Sequence, residues 1–340
     1  MDVTQLAGRV AALLPRRLCY WDVGGRWGLA EPWAWFDEAL RVVAFEPDAE
    51  EYRRLLAAGK PKDVILNRAV WRESGRVPFH LARARGCSSI YEPNREFLEK
   101  FADARRYDVE KTVEVETGTI DALAAGEAEL ADLDFLKIDV QGAELDVLRG
   151  GEAFLAGNAL GIEVEVEFQP LYRGQPLFSD VDKFVRERIG LELQDLRKTY
   201  WKRPEGIGLG ALKGQLIFGD ALYFRPPEAV AAAFAGAPPD RARAKVAAAL
   251  LMGLVYGYLD YTLAVLALAE RERVLPQDQV RLWRETCAAY GRCLRCDRGR
   301  VADKLARLFH LLYRVFQPSH QGWATLGDPL GSRKRFGIFH

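Results

Sequence analysis

Short apolar runs at 18–23, 42–45, 64–66, 135–140 and 161–168 alternate with segments such as 49–58, 120–125 and 143–148, whose apolar positions recur at helical spacing. Strands alternating with helices predict βαβ units and a parallel sheet, the doubly wound, Rossmann-like α/β class. Ahead of the first strand, Val3, Leu6, Val10, Leu13 and Leu14 share one helical face before Pro15 stops the turn. After the fifth run the order changes. A helix at 180–188 is followed by strands at 192–196 and 215–224 with no clear helix between them, which predicts an antiparallel pair at one sheet edge. From 228 onward the chain is rich in alanine and leucine with helical periodicity, including 276–290 and 301–315, and shows no strand signal before the tail. The expected division is therefore 1–226, a sheet domain with a leader helix, and 227–340, a helical C-terminal domain. The apolar stretch 246–268 is long enough to span a bilayer, but Asp260 lies inside it. A carboxylate in that position is costly in lipid, so a buried helix or helical hairpin is expected and no transmembrane span.

Composition narrows the function classes. At 340 residues the chain exceeds the usual single-domain size. Its 48 basic and 48 acidic side chains cancel, and without a clustered basic surface no nucleic-acid partner is expected. The start Met1-Asp-Val-Thr-Gln5 lacks the pattern of a secretory signal, so a cytoplasmic location is expected. The 5 cysteines are an odd number and read as free thiols. Cys287, Cys293 and Cys296, with Asp297 and His310, hold one Cys-x-x-Cys pair and no second, so no metal site is expected. Trp21, Trp27, Trp33 and Trp35 could stack on a base or sugar, though core filling is the default for such rings. The basic tail Gly331-Ser-Arg-Lys-Arg-Phe336 reads as solvated.

Chemistry concentrates at strand ends. Phe135-Leu-Lys-Ile-Asp139 delivers Lys137 and Asp139 to the carboxyl end of a strand, before the turn Val140-Gln-Gly142. Asp22 precedes Gly24, Gly25 and Gly28 after the first strand, and Glu46 ends the second. In open parallel sheets ligands bind beyond these ends, so three acids are expected to converge on one site. The glycine loop lacks the first glycine of the Gly-x-Gly-x-x-Gly fingerprint, since Val23 stands there. An acid just before the loop disfavours a pyrophosphate and suits a cation. A phosphate-free adenosine ligand with an amino acid and a positive sulfur, S-adenosyl-L-methionine, meets these conditions. Glu46 can accept from ribose hydroxyls, as the same acid does in NAD enzymes. A plain tight turn with Asp22 as a helix cap also fits the loop.

At these residues the chain resembles the FkbM-type family of S-adenosylmethionine-dependent methyltransferases. The matching pieces are Asp22-Val-Gly-Gly-Arg-Trp-Gly28, Val43-Ala-Phe-Glu-Pro47, Asn67-Arg-Ala-Val70, Gly86-Cys-Ser-Ser-Ile90, Thr119-Ile-Asp-Ala-Leu123 and the stretch from Phe135 to Glu144. They fall in order over 18–200. The resemblance implies a doubly wound methyltransferase fold and methyl transfer to a hydroxyl oxygen. It assigns Asp22, Gly24, Gly25 and Gly28 to the methionine end of the cofactor, Glu46 and Pro47 to the ribose, and Asn67, Ala69 and Val70 to the adenine. Gly25-Arg26 replaces the family's usual Ala-Asn, and Gln141 stands where a glutamate is usual.

For the hydroxyl proton, Asp139 is the first candidate base and also borders the cofactor, and Glu167 is the second. Glu167 closes the alternating run Glu163-Val-Glu-Val-Glu-Phe168, whose glutamates share one face. Burying all of them is expensive, so the last is expected to reach the cleft, with Lys137 offsetting part of the charge. A structural ion-pair network is the bland alternative. Ser88 and Ser89 are expected over the site, toward acceptor and cofactor, unless they form a surface turn. Gln141, Gln169, Tyr172 and Arg173 are expected at the acceptor, a glycan, lipid-linked sugar or small metabolite. The 227–340 helices would shape acceptor entry or a homo-oligomer interface. Two other readings stay open: a scaffold that binds the cofactor without turnover, and an NAD-dependent oxidoreductase, which the loop and the scarcity of histidine disfavour.

Overall fold

The computed structural model describes residues 3–26, 28–209, 214–234, 237–294, 305, 308, 309, 312 and 323–326. Trp27, the side chain of Cys293, Cys296, Asp297, His310, most of the 301–315 segment and the tail 331–336 lie outside them. Helix α1 (Val3–Ala11) leads into β1 (Leu18–Val23), β2 (Leu40–Phe45), α2 (Ala49–Ala58), β3 (Val64–Leu66), β4 (Ala69–Val70) and β5 (Gly75–Ala82). Then come α3 (Arg95–Leu98), β6 (Val109–Gly118), α4 (Ile120–Gly126), β7 (Phe135–Ile138), α5 (Glu144–Arg149), α6 (Glu152–Asn158), β8 (Gly161–Glu167) and α7 (Phe178–Phe184). The chain continues through β9 (Glu192–Trp201), β10 (Gln215–Phe224), α8 (Pro227–Phe234), α9 (Pro239–Tyr256), α10 (Leu259–Arg271), α11 (Gln277–Leu294) and β11 (Ala324–Leu326).

The main sheet runs β11-β9-β10-β8-β7-β1-β2-β3. Strands β3, β2, β1, β7 and β8 are parallel, while β10 lies antiparallel between β8 and β9. This is the doubly wound sheet with an antiparallel edge that the order of apolar runs predicts. β1 is buried along its whole length, so successive residues serve two cores. Cys19, Trp21 and Val23 face one core with Leu136, Ile138, Ile162, Val164 and the helices α4 to α7. Leu18 and Tyr20 face the other, with Phe135, Leu222, Phe224 and α9 to α11. A fully buried phenylalanine here contributes about 1.5–3 kcal/mol.

That second face changes character along the strands. Its amino-terminal half is apolar and covered by helices; its carboxyl-terminal half carries Asp22, Lys137, Glu163 and Asp220. Above it stands a sheet that the apolar pattern did not predict, β4-β6-β5. Its strands carry charges at most outward positions, and only Ala69, Phe79 and Val115 form its small buried cluster.

The 246–268 stretch forms a helical hairpin, α9 and α10, turning at Gly257 with Tyr258 N donating to Gly253 O at 2.8 Å. No helix among the described residues is long and apolar enough to cross a membrane. Lys245 of α9 is fully buried, 2.8 Å from Asp134 and 3.0 Å from Asp132. Arg16 also reaches Asp134, at 2.6 Å. Burial by itself would raise the Asp134 carboxyl, but Lys245 and Arg16 outweigh it and hold it below the usual carboxylate range. The element type changes near 226, yet the helices beyond it share one core with β1, β7 and β10. Trp21 and Trp33 fill cores: Trp21 packs on Phe45 and Phe154, Trp33 on Tyr20 and Phe135.

Candidate active site

A cavity of about 260 Å³ opens between the charged half of the main sheet, the loop after β1 and the second sheet. Asp22, Glu46 and Asp139 all line it, together with Gly24, Gly25, Gly28, Pro47, Ala69, Val70, Ser88, Lys137 and Gln141. The three strand-end acids do gather round one space.

The loop after β1 is built by close contact. Gly24 has φ +84°, and a Cβ there would sit 2.0 Å from the Asp139 carbonyl oxygen, so the turn lies directly against the end of β7. A side chain at Gly25 would run into the Asp22 carboxylate at 2.9 Å. Asp22 is only 3% exposed, and its Oδ1 accepts no hydrogen bond. Lys137 Nζ is 3.8 Å from that atom, too far for one. Burial raises the Asp22 carboxyl, with Lys137 pulling it back and Asp139 adding to the rise. Burial also works against charge on Lys137, but Asp22, Asp139 and Glu163 outweigh it and keep the ammonium above its ordinary range.

At the end of β2, Glu46 Oε1 accepts from Asp48 N at 2.8 Å. Burial pushes Glu46 up to about 7, against the Asp48 hydrogen bond and the nearby Arg26. Asn67 Nδ2 donates to the carbonyls of Glu46 at 2.8 Å and Pro47 at 3.2 Å. Asn67 thus braces the turn and does not line the cavity; the wall beyond Glu46 is made by Arg68, Ala69 and Val70.

The turn after β7 is pinned from several sides. Gln141, at φ +60°, donates from Nε2 to Asp139 Oδ1 at 2.9 Å and to Glu165 Oε1 at 2.7 Å. Glu144 accepts from Val140 N and Gly142 N, both at 2.9 Å. Ser89 Oγ donates to the Gln141 carbonyl at 2.7 Å, which holds the second sheet against this turn. Ser89 is buried away from the lining, while Ser88, Gly86, Arg85, Phe79 and Ile90 form the roof.

The expectation that Glu167 reaches the cleft is corrected. Glu167 is 2% exposed and does not line the cavity, because the segment carrying Tyr172 and Gln175 covers the end of β8. Burial and the neighbouring Glu144 and Asp139 raise its carboxyl well above the ordinary range. The first glutamate of the run, Glu163, lines the cavity instead. Tyr172 is fully buried, its Oη 3.0 Å from both the Cys87 carbonyl and Gln141 Oε1. It supports the turn from behind. Gln169 is half-buried outside the lining, and Arg173 opens on a separate groove with His80, Arg95 and Asp108. These positions are not brought to the cavity.

Sequence reasoning missed Asp220 and Arg197, which line the inner end with Lys137 and Glu163. Arg197 Nε donates to Asp220 Oδ2 at 2.8 Å. Asp220 was visible as an isolated acid inside an apolar strand, whereas Arg197 lay one residue past the strand end that was expected.

Residues 25–189 match the family model described as the Methyltransferase FkbM domain. Over 152 residues the chain is 32% identical to the 2-O-methyltransferase NoeI of Sinorhizobium fredii (strain NBRC 101917 / NGR234), covering 42% of this chain and 60% of that protein. The match therefore spans less than two thirds of the relative's length. A solved structure, the methyltransferase FkbM from Methylobacillus flagellatus KT, is 13% identical and aligns with 61% of this chain and 44% of its own, at a TM-score of 0.34.

Proposed function

We propose, from the match of residues 25–189 to the Methyltransferase FkbM domain model, that this chain transfers a methyl group from S-adenosylmethionine to a hydroxyl oxygen of a glycan, lipid-linked sugar or small metabolite. One observation carries the cofactor assignment: Asp22 lines a cavity shaped by a glycine turn, and its buried Oδ1 has no hydrogen-bond partner within the chain. A buried acceptor of that kind is costly unless a ligand completes it. The ammonium of a methionine end would do so. Glu46, with one oxygen fixed by Asp48 N, suits ribose hydroxyls, and the Arg68, Ala69 and Val70 wall suits a base.

When bound, S-adenosylmethionine supplies a methyl group on a positively charged sulfur, which an acceptor oxygen displaces in line. Asp139 takes the hydroxyl proton. Its carboxylate is aimed by Gln141 Nε2 and faces Lys137 Nζ at 3.9 Å. Holding the acceptor against the methyl group supplies much of the acceleration, and the roof from the second sheet keeps water out. In this reading 1–226 carries the cofactor site, and helices α9 to α11 close the sheet face beneath it. The buried free thiols Cys19, Cys87 and Cys287 support work in the reducing cytoplasm. The similarity to a 2-O-methyltransferase supports oxygen as the acceptor atom.

The test is incubation with S-adenosylmethionine labelled in the methyl group and a pool of cellular metabolites and glycans. Label recovered in a product that resists mild base is the expected ether. Label that base releases, or none above background, contradicts hydroxyl methylation.

A further inference from the structure

We infer that the inner end of the cavity, floored by Lys137, Glu163, Asp220 and Arg197, is the acceptor subsite, and that it takes an uncharged, hydroxyl-bearing ring while turning away phosphate- and carboxylate-bearing groups. This rests on the methyltransferase reading above.

Strand register places these groups. Asp22 pairs with Lys137, Lys137 with Glu163, and Asp220 with Arg197, Asp220 lying diagonal to Glu163 because its partner on β8 is Glu165. The groups run over β7, β8, β10 and β9, away from Glu46, which follows β2 on the other side of β1. At about 4.8 Å per strand, β10 lies about 14 Å from β1. A cofactor held by Asp22 and Glu46 leaves this end to the second substrate.

The charges in the floor are already paired. Lys137 stands between Asp22 and Asp139, and Arg197 holds Asp220. In the roof, Arg85 faces Glu110 at 3.5 Å and donates to the Ala82 carbonyl at 3.1 Å. An incoming anion would have to displace an acid from one of these cations while facing Glu163 and Asp220. An ammonium would meet Lys137 and Arg197 on either side of Glu163. A hydroxyl both donates and accepts, which is what a floor carrying both acids and cations offers.

Glu163 is also held in place from the helical region. Tyr256 Oη, on α9, donates to Glu163 Oε2, and Trp33 Nε1 donates to Tyr256 Oη at 3.0 Å. One carboxylate oxygen is thereby fixed, and the other is left to read the acceptor. Helix α9 thus reaches the inner end of the cavity through Tyr256.

Saturation-transfer NMR on the full chain with S-adenosylhomocysteine present tests this, using myo-inositol and methyl α-D-glucopyranoside as neutral probes, glucose 6-phosphate as the anion and glucosamine as the cation. Binding of a neutral probe at least tenfold tighter than either charged one is expected. Glu163→Gln and Asp220→Asn should each weaken it at least tenfold while S-adenosylhomocysteine affinity stays within threefold, which also reports an intact fold. Equal binding of charged probes, no binding of neutral ones, or unchanged binding in both variants overturns the subsite. Failure of the parent protein to bind S-adenosylhomocysteine overturns the methyltransferase reading by itself, and the probe comparison run without it still decides the subsite.

Discussion

Asp22 and Lys137 are direct cross-strand neighbours whose charged atoms stop 3.8 Å apart, too far for a hydrogen bond and close enough to depend on each other. Replacing the ammonium leaves two acids facing a cavity without their cation. Lys137→Met should cost about 3 kcal/mol at pH 8. Burial already raises the Asp22 carboxyl in the folded state, and losing Lys137 raises it further. Such a group contributes stability at low pH that disappears as pH rises through its folded value. The loss should therefore be smaller at pH 5, as urea unfolding at the two pH values will show.

Asp139→Asn should leave S-adenosylhomocysteine affinity within about threefold and lower turnover by about 10²–10⁴-fold, the usual worth of a general base. Calorimetry and methyl-transfer rates, with an acceptor on which the parent protein turns over, separate the two effects. Unchanged turnover removes Asp139 as the base.

Glu46 predicts a pH profile. Its folded value of about 7 stands above the ordinary 4.5, so the folded chain holds its proton between those values and the associated stability is lost as pH rises through about 7. Ribose recognition by the ionised form runs the other way. Affinity for S-adenosylhomocysteine should rise about tenfold from pH 6 to pH 8, following the ionised fraction. Glu46→Gln should bind more weakly and show a flat profile in the same titrations.

Gln141→Glu tests why an amide stands where the family resemblance has a glutamate. The amide nitrogen serves both Asp139 and Glu165; a carboxylate there would repel both. The substitution should cost about 1–3 kcal/mol at pH 8 and less at pH 5, where protonation relieves the crowding. Denaturant midpoints measure this, and equal stability at pH 8 would show that the loop tolerates the charge.

Much of the site was legible because it lies at strand ends, where glycine and an acid inside an apolar run stand out. Asp22, Glu46 and Asp139 were found that way, and so was the parallel sheet. What escaped has a physical reason in each case. Strands β5 and β6 were missed because their exposed charges outnumber the few apolar residues they bury. Glu167 was placed in the cleft because period two fixes the face of a strand but not what covers its end; Tyr172 and Gln175 decide that, and both come from a segment without periodicity. Asp220 and Arg197 meet across an antiparallel pair, a contact that depends on register, which neither strand reveals alone. Nothing in the alanine-rich stretch around Lys245 marks that lysine for burial, yet it is buried against Asp134.

The central claim is that Asp22, Glu46 and Asp139 enclose a phosphate-free sulfonium nucleoside. Calorimetric titration at pH 8 tests it most directly, with S-adenosylhomocysteine and NAD on the parent chain and on Asp22→Asn. The account predicts one equivalent of S-adenosylhomocysteine bound, at least tenfold weaker in the variant, and no heat from NAD. Tight NAD binding, or S-adenosylhomocysteine affinity indifferent to Asp22, would contradict it.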